Sequence, residues 1–505
     1  MEALLLAAGL TACASSLWAA PVPGSNSTST LSAVIIEGNS QLETNSLRKA
    51  VAAAPGKPWD ENVATRSRND LLSYYRSEGF LDASVSSRTE VQEAGMVLTL
   101  AVVEGPRYRF GPIRVSGLEK IAERVVLREA DFQPGDPYRR RKLFDLQSRL
   151  FALGLFEEVS ISASTSAARQ ADILVRVKER PTKWVKFGAG YGSEEKERLT
   201  LSLSHENLFR KAYRLELLGN VSRIWLDYRA EFMNRFFMGT RTEQRSLGGW
   251  RRENREGYDS EASQAASSLG RQLPLSWHGM LQYRYQHTTV YNLNPQIAQT
   301  TPEQNDSSSA GLIFTHDSAN DPFLPARGAR MRAAAERSGG FLGGTTHLWR
   351  LSGQGSVYQA LWRRLIGALN ARAGIVHETG PSSEVPVFER FFIGGSNSVR
   401  GYRERGAGPK DLLGGFLGGK LVMGGGGELR FPLYRRLHAA AFAEGGQVGQ
   451  KLTFVQPSRW KYGAGGGLRL LTPVVPFRAD LGYKLNPDPG DAALWRVHLS
   501  LGKAF

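Results

Sequence analysis

The amino-acid sequence predicts two small α+β modules followed by a transmembrane antiparallel β-barrel of about 16 strands. Three observations carry that prediction. A pattern in the N-terminal third repeats after 75 residues, so that Gly79, Glu104 and Pro106 recur as Gly154, Glu179 and Pro181. From about Trp184 the helical period disappears, and apolar residues alternate with polar ones to the last residue. The 55 glycines exceed the usual ~7% share and crowd into the C-terminal half, as strands and turns require.

Residues 1–20 read as an export segment: the apolar run Ala3 to Leu10, then small residues. Glu2 stands where such segments carry positive charge, which a start codon placed too late explains. Leu10-Thr11-Ala12-Cys13 resembles a lipidation motif and makes Cys13 a candidate lipid anchor; cleavage near Ser16 to Ala20 would instead discard it. As the one cysteine, it excludes an internal disulfide framework. Residues 21–31, rich in Pro, Ser, Thr and Asn, form a short linker.

The first module, residues 32–105, opens with the strand Val34 to Gly38. Helices follow around Leu42 to Ala53 and Asn62 to Ser77, then strands over Leu81 to Thr89 and Met96 to Val103. The second, residues 106–181, repeats that order: strand Ile113 to Gly117, a helix near Val125, a longer one from Tyr138 to Ala152, and strands Val159 to Ala163 and Asp172 to Val177. Each packs two amphipathic helices on one face of a three-stranded sheet. The open edges of so small a sheet can accept an added strand.

Residues 182–505 make the barrel. Leu199, Leu201 and Leu203 alternate with Thr200, Ser202 and Ser204, and Val497, Leu499 and Leu501 with Arg496, His498 and Ser500. About 320 residues at roughly 20 per strand and connection give on the order of 16 strands. Hydrophobic content of 41% is bland because alternation averages the two faces. After the N-terminal segment no apolar run is long enough for a membrane-spanning helix. A soluble sandwich also alternates, but rarely over so many strands. Tryptophans and tyrosines at strand ends suit the two membrane interfaces.

Closure brings the first strand, with Trp184, Phe187, Gly188 and Gly190, against the last, with Val497, Leu499, Leu501 and Phe505. Gly188, Gly190 and Gly192 either weaken this seam or serve barrel curvature.

One stretch, Phe391 to Tyr402, fits neither strand nor simple turn. Its Val399-Arg400-Gly401-Tyr402 suits a loop that tucks into the lumen with a guanidinium at the tip. A buried arginine stays charged and needs a carboxylate partner. Phe442-Ala443-Glu444-Gly445-Gly446 offers one: Glu444, with Phe442 and Gly445 beside it.

The net charge of +16 favours acidic partners such as outer-membrane lipid and lipopolysaccharide. Nucleic acid is not expected, because the cations are scattered singly; the run Arg139 to Lys142 opens a helix as a solvated face. No catalytic residues, metal or cofactor are expected. Gly394 to Ser398 lacks the last glycine of a nucleophile elbow. The runs 424–427 and 463–467 sit in strands rather than at a strand-helix turn, and the eight histidines show no ligand spacing.

These segments resemble the bacterial outer-membrane assembly factor and surface-antigen superfamily, whose members carry POTRA modules before a sixteen-stranded barrel. TamA-like translocation and assembly proteins are the nearest resemblance. Four segments carry it: Val399 to Tyr402, Phe442 to Gly446, His205-Glu206-Asn207-Leu208-Phe209, and Asp317 through Asp321-Pro322-Phe323 to Gly328. Two departures stand out. Glu444 occupies a position that is usually Asp, and two modules precede the barrel where TamA-like proteins usually have three.

The resemblance implies an outer-membrane location with the modules in the periplasm, and insertion or translocation of nascent outer-membrane or secreted polypeptides. It also implies a periplasmic or inner-membrane partner on the modules, and a latch between Arg400 and Glu444. A two-partner secretion transporter is the alternative, although residues 21–31 are too short and polar for its plug helix. A passive porin is more distant. The closing Phe505 resembles the signal by which barrel proteins are themselves delivered for assembly.

Overall fold

A computed structural model describes residues 30–502 except 94, 167, 363, 381, 383, 453–458, 471, 473–475, 490 and 492. The export segment, Cys13 and Phe505 lie outside the described residues.

The first module runs β1 (Leu31–Glu37), α1 (Thr44–Ala50), α2 (Glu61–Ser77), β2 (Ser84–Gln92) and β3 (Gly95–Val103), with sheet order β1-β3-β2. Asp60 caps α2 by accepting the Asn62 amide. Ala64, Ser67, Leu71 and Tyr75 share one face of α2 and are buried, with Leu47, Phe80, Leu98 and Leu100 in the same core.

The second module repeats this as β4 (Arg109–Ser116), α3 (Glu123–Leu127), α4 (Arg140–Ala152), β5 (Phe156–Thr165) and β6 (Gln170–Glu179), order β4-β6-β5. The α4 helix begins two residues later than the periodicity suggests. Tyr138 instead donates its amide to the Tyr108 carbonyl and is buried, with its ring 5.0 Å from that of Phe110.

The repeat has a physical cause. In the first module the Glu104 carboxylate accepts the Ser40 amide at 2.9 Å, the Ser40 hydroxyl at 2.6 Å and the Gln41 amide at 3.2 Å. In the second, Glu179 accepts the amides of Glu119, Lys120 and Ile121 at 2.9–3.0 Å. Each carboxylate ties the turn after the first strand back to the end of the last strand. Gly38 and Gly117 precede those turns at positive φ, and a Cβ on either would lie about 2 Å from a carbonyl of the central strand.

The chain divides into two compact units. One holds residues up to Ser116 with Leu127–Arg149 and Ser160–Arg176; the other holds Gly117–Val126, Leu150–Val159 and Val177–Phe505. Within the second, sixteen antiparallel strands, β7 (Lys183–Gly192) through β22 (Trp495–Leu501), close into a barrel. Closure pairs backbone groups that lipid cannot solvate. On β8 (Lys196–Leu208), Leu199, Leu201 and Leu203 are exposed on the outer wall, while Thr200, Ser202 and Ser204 are buried in the lumen. Among the described residues no helix is long and apolar enough to cross a membrane.

Burial alone would raise the Glu104 carboxyl, but the bonds from Ser40 and Gln41 outweigh it and hold the group below the usual carboxylate range. Its stabilising effect is therefore complete above the pKa of an unfolded glutamate and is lost as pH falls through the depressed folded value. Glu104→Gln should reduce hydrogen-exchange protection across β3 at neutral pH. The gap from wild type should close as the medium is acidified; a gap independent of pH would contradict this.

Candidate functional site: a charged cluster in the barrel lumen

The long connection between β17 (Leu365–Glu378) and β18 (Leu421–Tyr434) is drawn together at its neck, where Phe391 and Gly419 exchange both backbone hydrogen bonds, at 2.8 and 2.9 Å. Beyond the neck the chain turns back: the Gly395 amide donates to the Tyr402 carbonyl, and the Ser398 hydroxyl bonds both polar backbone groups of Gly394. Ile393, Val399, Tyr402 and Ala407 then pack on Val422 and Val448 of the wall. The Tyr402 hydroxyl donates to the Asn486 carbonyl at 2.9 Å.

This turn presents Arg400, which is 2% exposed. Its Nε and Nη2 donate to Glu444 Oε1 at 3.0 and 2.5 Å, and its own amide donates to Oε2 at 2.9 Å. Nη1 donates to Glu428 at 2.8 Å and to Asp480 at 3.2 Å. The guanidinium carbon lies 3.4 Å from the centroid of the Phe442 ring, a stacked cation-π contact. Phe442 and Glu444 both face the lumen because they are two apart on β19 (Leu437–Gly449). Gly445 points the other way, where the Tyr462 ring leaves no room for a Cβ.

Glu428 and Asp480 carry no motif and are missing from the sequence reading. Glu428 lies on β18 and Asp480 on β21 (Phe477–Lys484). Arg469 bridges them, at 3.1 Å to Glu428 and 2.5 Å to Asp480; Arg430 holds Glu428 and Arg478 holds Asp480, each at 2.6 Å. Alternation places all of these side chains inward. Glu444 differs from the other two carboxylates, since its hydrogen bonds come from Arg400 alone among the described residues. Buried ion pairs of this kind are costly to break one-sidedly, by about 3–5 kcal/mol.

The glycine runs make the space for this tip. A Cβ at Gly463 would stand 2.1 Å from the Arg400 carbonyl oxygen, and one at Gly482 2.4 Å from the Gly401 amide nitrogen. Gly426 lies directly across the ladder from Glu444, and a Cβ there would sit 2.6 Å from the glutamate Cγ.

The seam joins the first barrel strand, β7, to the last, β22. β7 and β22 pair only as Gly192 with Ser500 and Tyr191 with Leu501, whereas β21 and β22 pair over the full length of Trp495 to Leu501. Trp184, Phe187, Gly188 and Gly190 therefore do not lie opposite Val497 or Leu499 in the described ladder. The strands are sheared, so the C-terminal end of β7 meets the C-terminal end of the last strand. Val185 and Phe187 are exposed on the outer wall, and β7 before Tyr191 has no ladder partner on its seam side among the described residues.

Fold and site together define a transmembrane β-barrel with N-terminal α+β modules and a loop-filled lumen. Residues 207–505 match the Omp85 superfamily domain, and residues 29–105 and 108–180 match the POTRA family, described as a surface antigen variable number repeat. The chain belongs to the Omp85 superfamily. It is an outer-membrane protein with its POTRA modules in the periplasm.

The outer membrane protein assembly factor BamA of Nitratidesulfovibrio vulgaris is 27% identical over 354 residues, covering 68% of this chain and 44% of that protein. BamA of Neisseria meningitidis is 23% identical, covering 94% and 66%. A SAM50-like protein of Schizosaccharomyces pombe is 29% identical, covering 56% and 62%. The chain thus spans 44% and 66% of the length of the two BamA relatives. Among solved structures, BamA from Haemophilus ducreyi lacking POTRA domains 1–3 shares the fold with a TM-score of 0.77 at 18% identity, covering 94% of this chain and 99% of that one. CdiB from Acinetobacter baumannii does so with a TM-score of 0.54 at 14% identity, covering 94% and 89%.

Gly426→Ala should destabilise the folded barrel by about 1–3 kcal/mol through overpacking against Glu444. Gly427→Ala, whose added methyl meets only Leu369 at 3.5 Å, should be close to neutral. The heat-induced change in gel mobility of the folded barrel measures both, and equal effects would rule out crowding of Glu444 as the cause.

Proposed function

We propose that the protein assembles or translocates outer-membrane polypeptides, with the client strand pairing at the β7–β22 seam and the lumen loop held by Arg400 and Glu444. One observation carries this: a closed barrel whose seam ladder is two residues long in the described chain. A nascent strand in lipid leaves backbone groups unsatisfied at several kcal/mol each. The edge of β7 offers them partners before the client closes on itself. Superfamily membership and the names of the relatives support the reading. The narrower TamA-like kinship rests on the four sequence segments alone.

The lumen cluster then has a mechanical task rather than a bond-making one. By fixing the loop, it keeps the lumen filled while the wall opens. Residues 32–105, 106–181 and 182–505 act as periplasmic module, periplasmic module and barrel. The open edges of β2 and β5 suit an added strand from a client or a periplasmic partner. On the outer wall Arg252 lies over Tyr291 and Arg337 over Trp349, near the strand ends remote from the periplasm. Such pairs suit the headgroup region of lipopolysaccharide.

Arg400→Ala should leave a folded barrel, at unchanged protein level, with reduced assembly activity, because Glu444 loses both guanidinium donors and keeps only the backbone amide of residue 400. Wild-type activity would remove the latch. The two-module count fits the alternative, a transporter for one secreted substrate. Depleting the protein and surveying the outer membrane separates them: several barrel proteins should fall together, whereas loss of a single secreted product would favour the transporter.

A further inference from the structure

The turn between β7 and β8 continues the bonding across the seam beyond the described ladder. The Ser193 amide donates to the Leu499 carbonyl at 3.0 Å. The Ser193 hydroxyl donates to that same oxygen at 3.2 Å and accepts the Leu499 amide at 2.5 Å. Ser193 thus engages both polar backbone groups of Leu499. Glu194 reaches across the seam, 3.3 Å from Arg496 Nε and 3.9 Å from His498 Nδ1. His498 is 2% exposed and neither ring nitrogen has a hydrogen-bond partner, so Glu194 is the only carboxylate within ion-pair distance of it among the described residues. Arg198 donates Nη2 to the Gly502 carbonyl at 3.1 Å and is oriented by a short bond to Glu195. Gly190 leaves room for this approach, since a Cβ there would lie 2.8 Å from the Leu501 oxygen and 3.1 Å from Arg198.

We propose that Ser193, Glu194 and Arg198 form a side-chain clasp that holds the lateral seam shut and whose release opens it. The inference rests on the seam reading above and adds the residues that set how readily the seam parts. A continuous ladder opens only by losing many backbone bonds together. A clasp of a few side chains, on one turn and the start of the strand after it, lets go when that turn shifts, leaving β7 paired to β8 and β22 paired to β21. An arriving strand that captured the Leu499 and Leu501 backbone would displace Ser193 first.

The test uses the full-length protein in vesicles of phospholipid and lipopolysaccharide, with Cys13 replaced by Ser and spin labels on Phe187→Cys and Leu481→Cys. Both positions are exposed on the outer wall and lie on either side of the seam. Pulsed electron resonance reads the distance between them. Ser193→Ala with Glu194→Gln should raise the long-distance population at least about threefold, and Ser193→Ala alone should raise it less. Gel mobility confirms that each variant is folded. Unchanged distance distributions in the folded single and double variants would overturn the clasp, whatever happens to assembly activity. Longer distances with undiminished, unaltered client assembly would leave the clasp standing and count against the seam as the client route.

Discussion

A guanidinium enclosed in a barrel lumen cannot shed its charge, and much of the C-terminal half is arranged around that constraint. Arg400 arrives on a loop, so its position depends on partners that the wall supplies. Those partners come from three strands, β18, β19 and β21, within one run of neighbours in the wall. The cluster therefore ties the loop to that stretch of the wall. Without those strands the charge would have too few partners, and without the loop Glu444 would lose every donor it has among the described residues.

The same economy governs the glycines. Gly463 and Gly482 line the surface on which the loop tip rests, and their missing side chains let backbone lie against backbone. A strand glycine loses packing and entropy. Here the vacated volume is taken by the tip itself, so the loss is offset by burying Val399 and Tyr402 against Val422 and Val448. The long carboxylate side chain of Glu444, where an aspartate is the family habit, has the same basis: Gly426 opposite leaves it the room.

Much of this was legible in the chain. Period-2 alternation marked the barrel, because lipid and lumen impose opposite chemistry on successive residues, and the spacing of Glu104 and Glu179 marked the modules. Arg400 and Glu444 were legible because a lone charge among glycines and aromatics has few bland explanations. Glu428, Asp480 and Arg469 were not, since a charged residue in an alternating strand looks the same whether it faces water or a buried guanidinium. The seam register was hidden for a different reason. Stagger around a closed barrel is a property of all sixteen strands together, and no local stretch at Trp184 or Val497 encodes it. Tyr138 lies outside its helix, packed on Phe110 with its amide donating to the Tyr108 carbonyl.

The carboxylates that close each POTRA module have a consequence for how such proteins diversify. Each module contains both halves of its own brace, the turn and the glutamate that holds it, within one 75-residue period. A tandem copying event of that length would deliver a self-bracing part. Copy number in the periplasmic arm is thereby freed to drift while the membrane-embedded portion stays as it is.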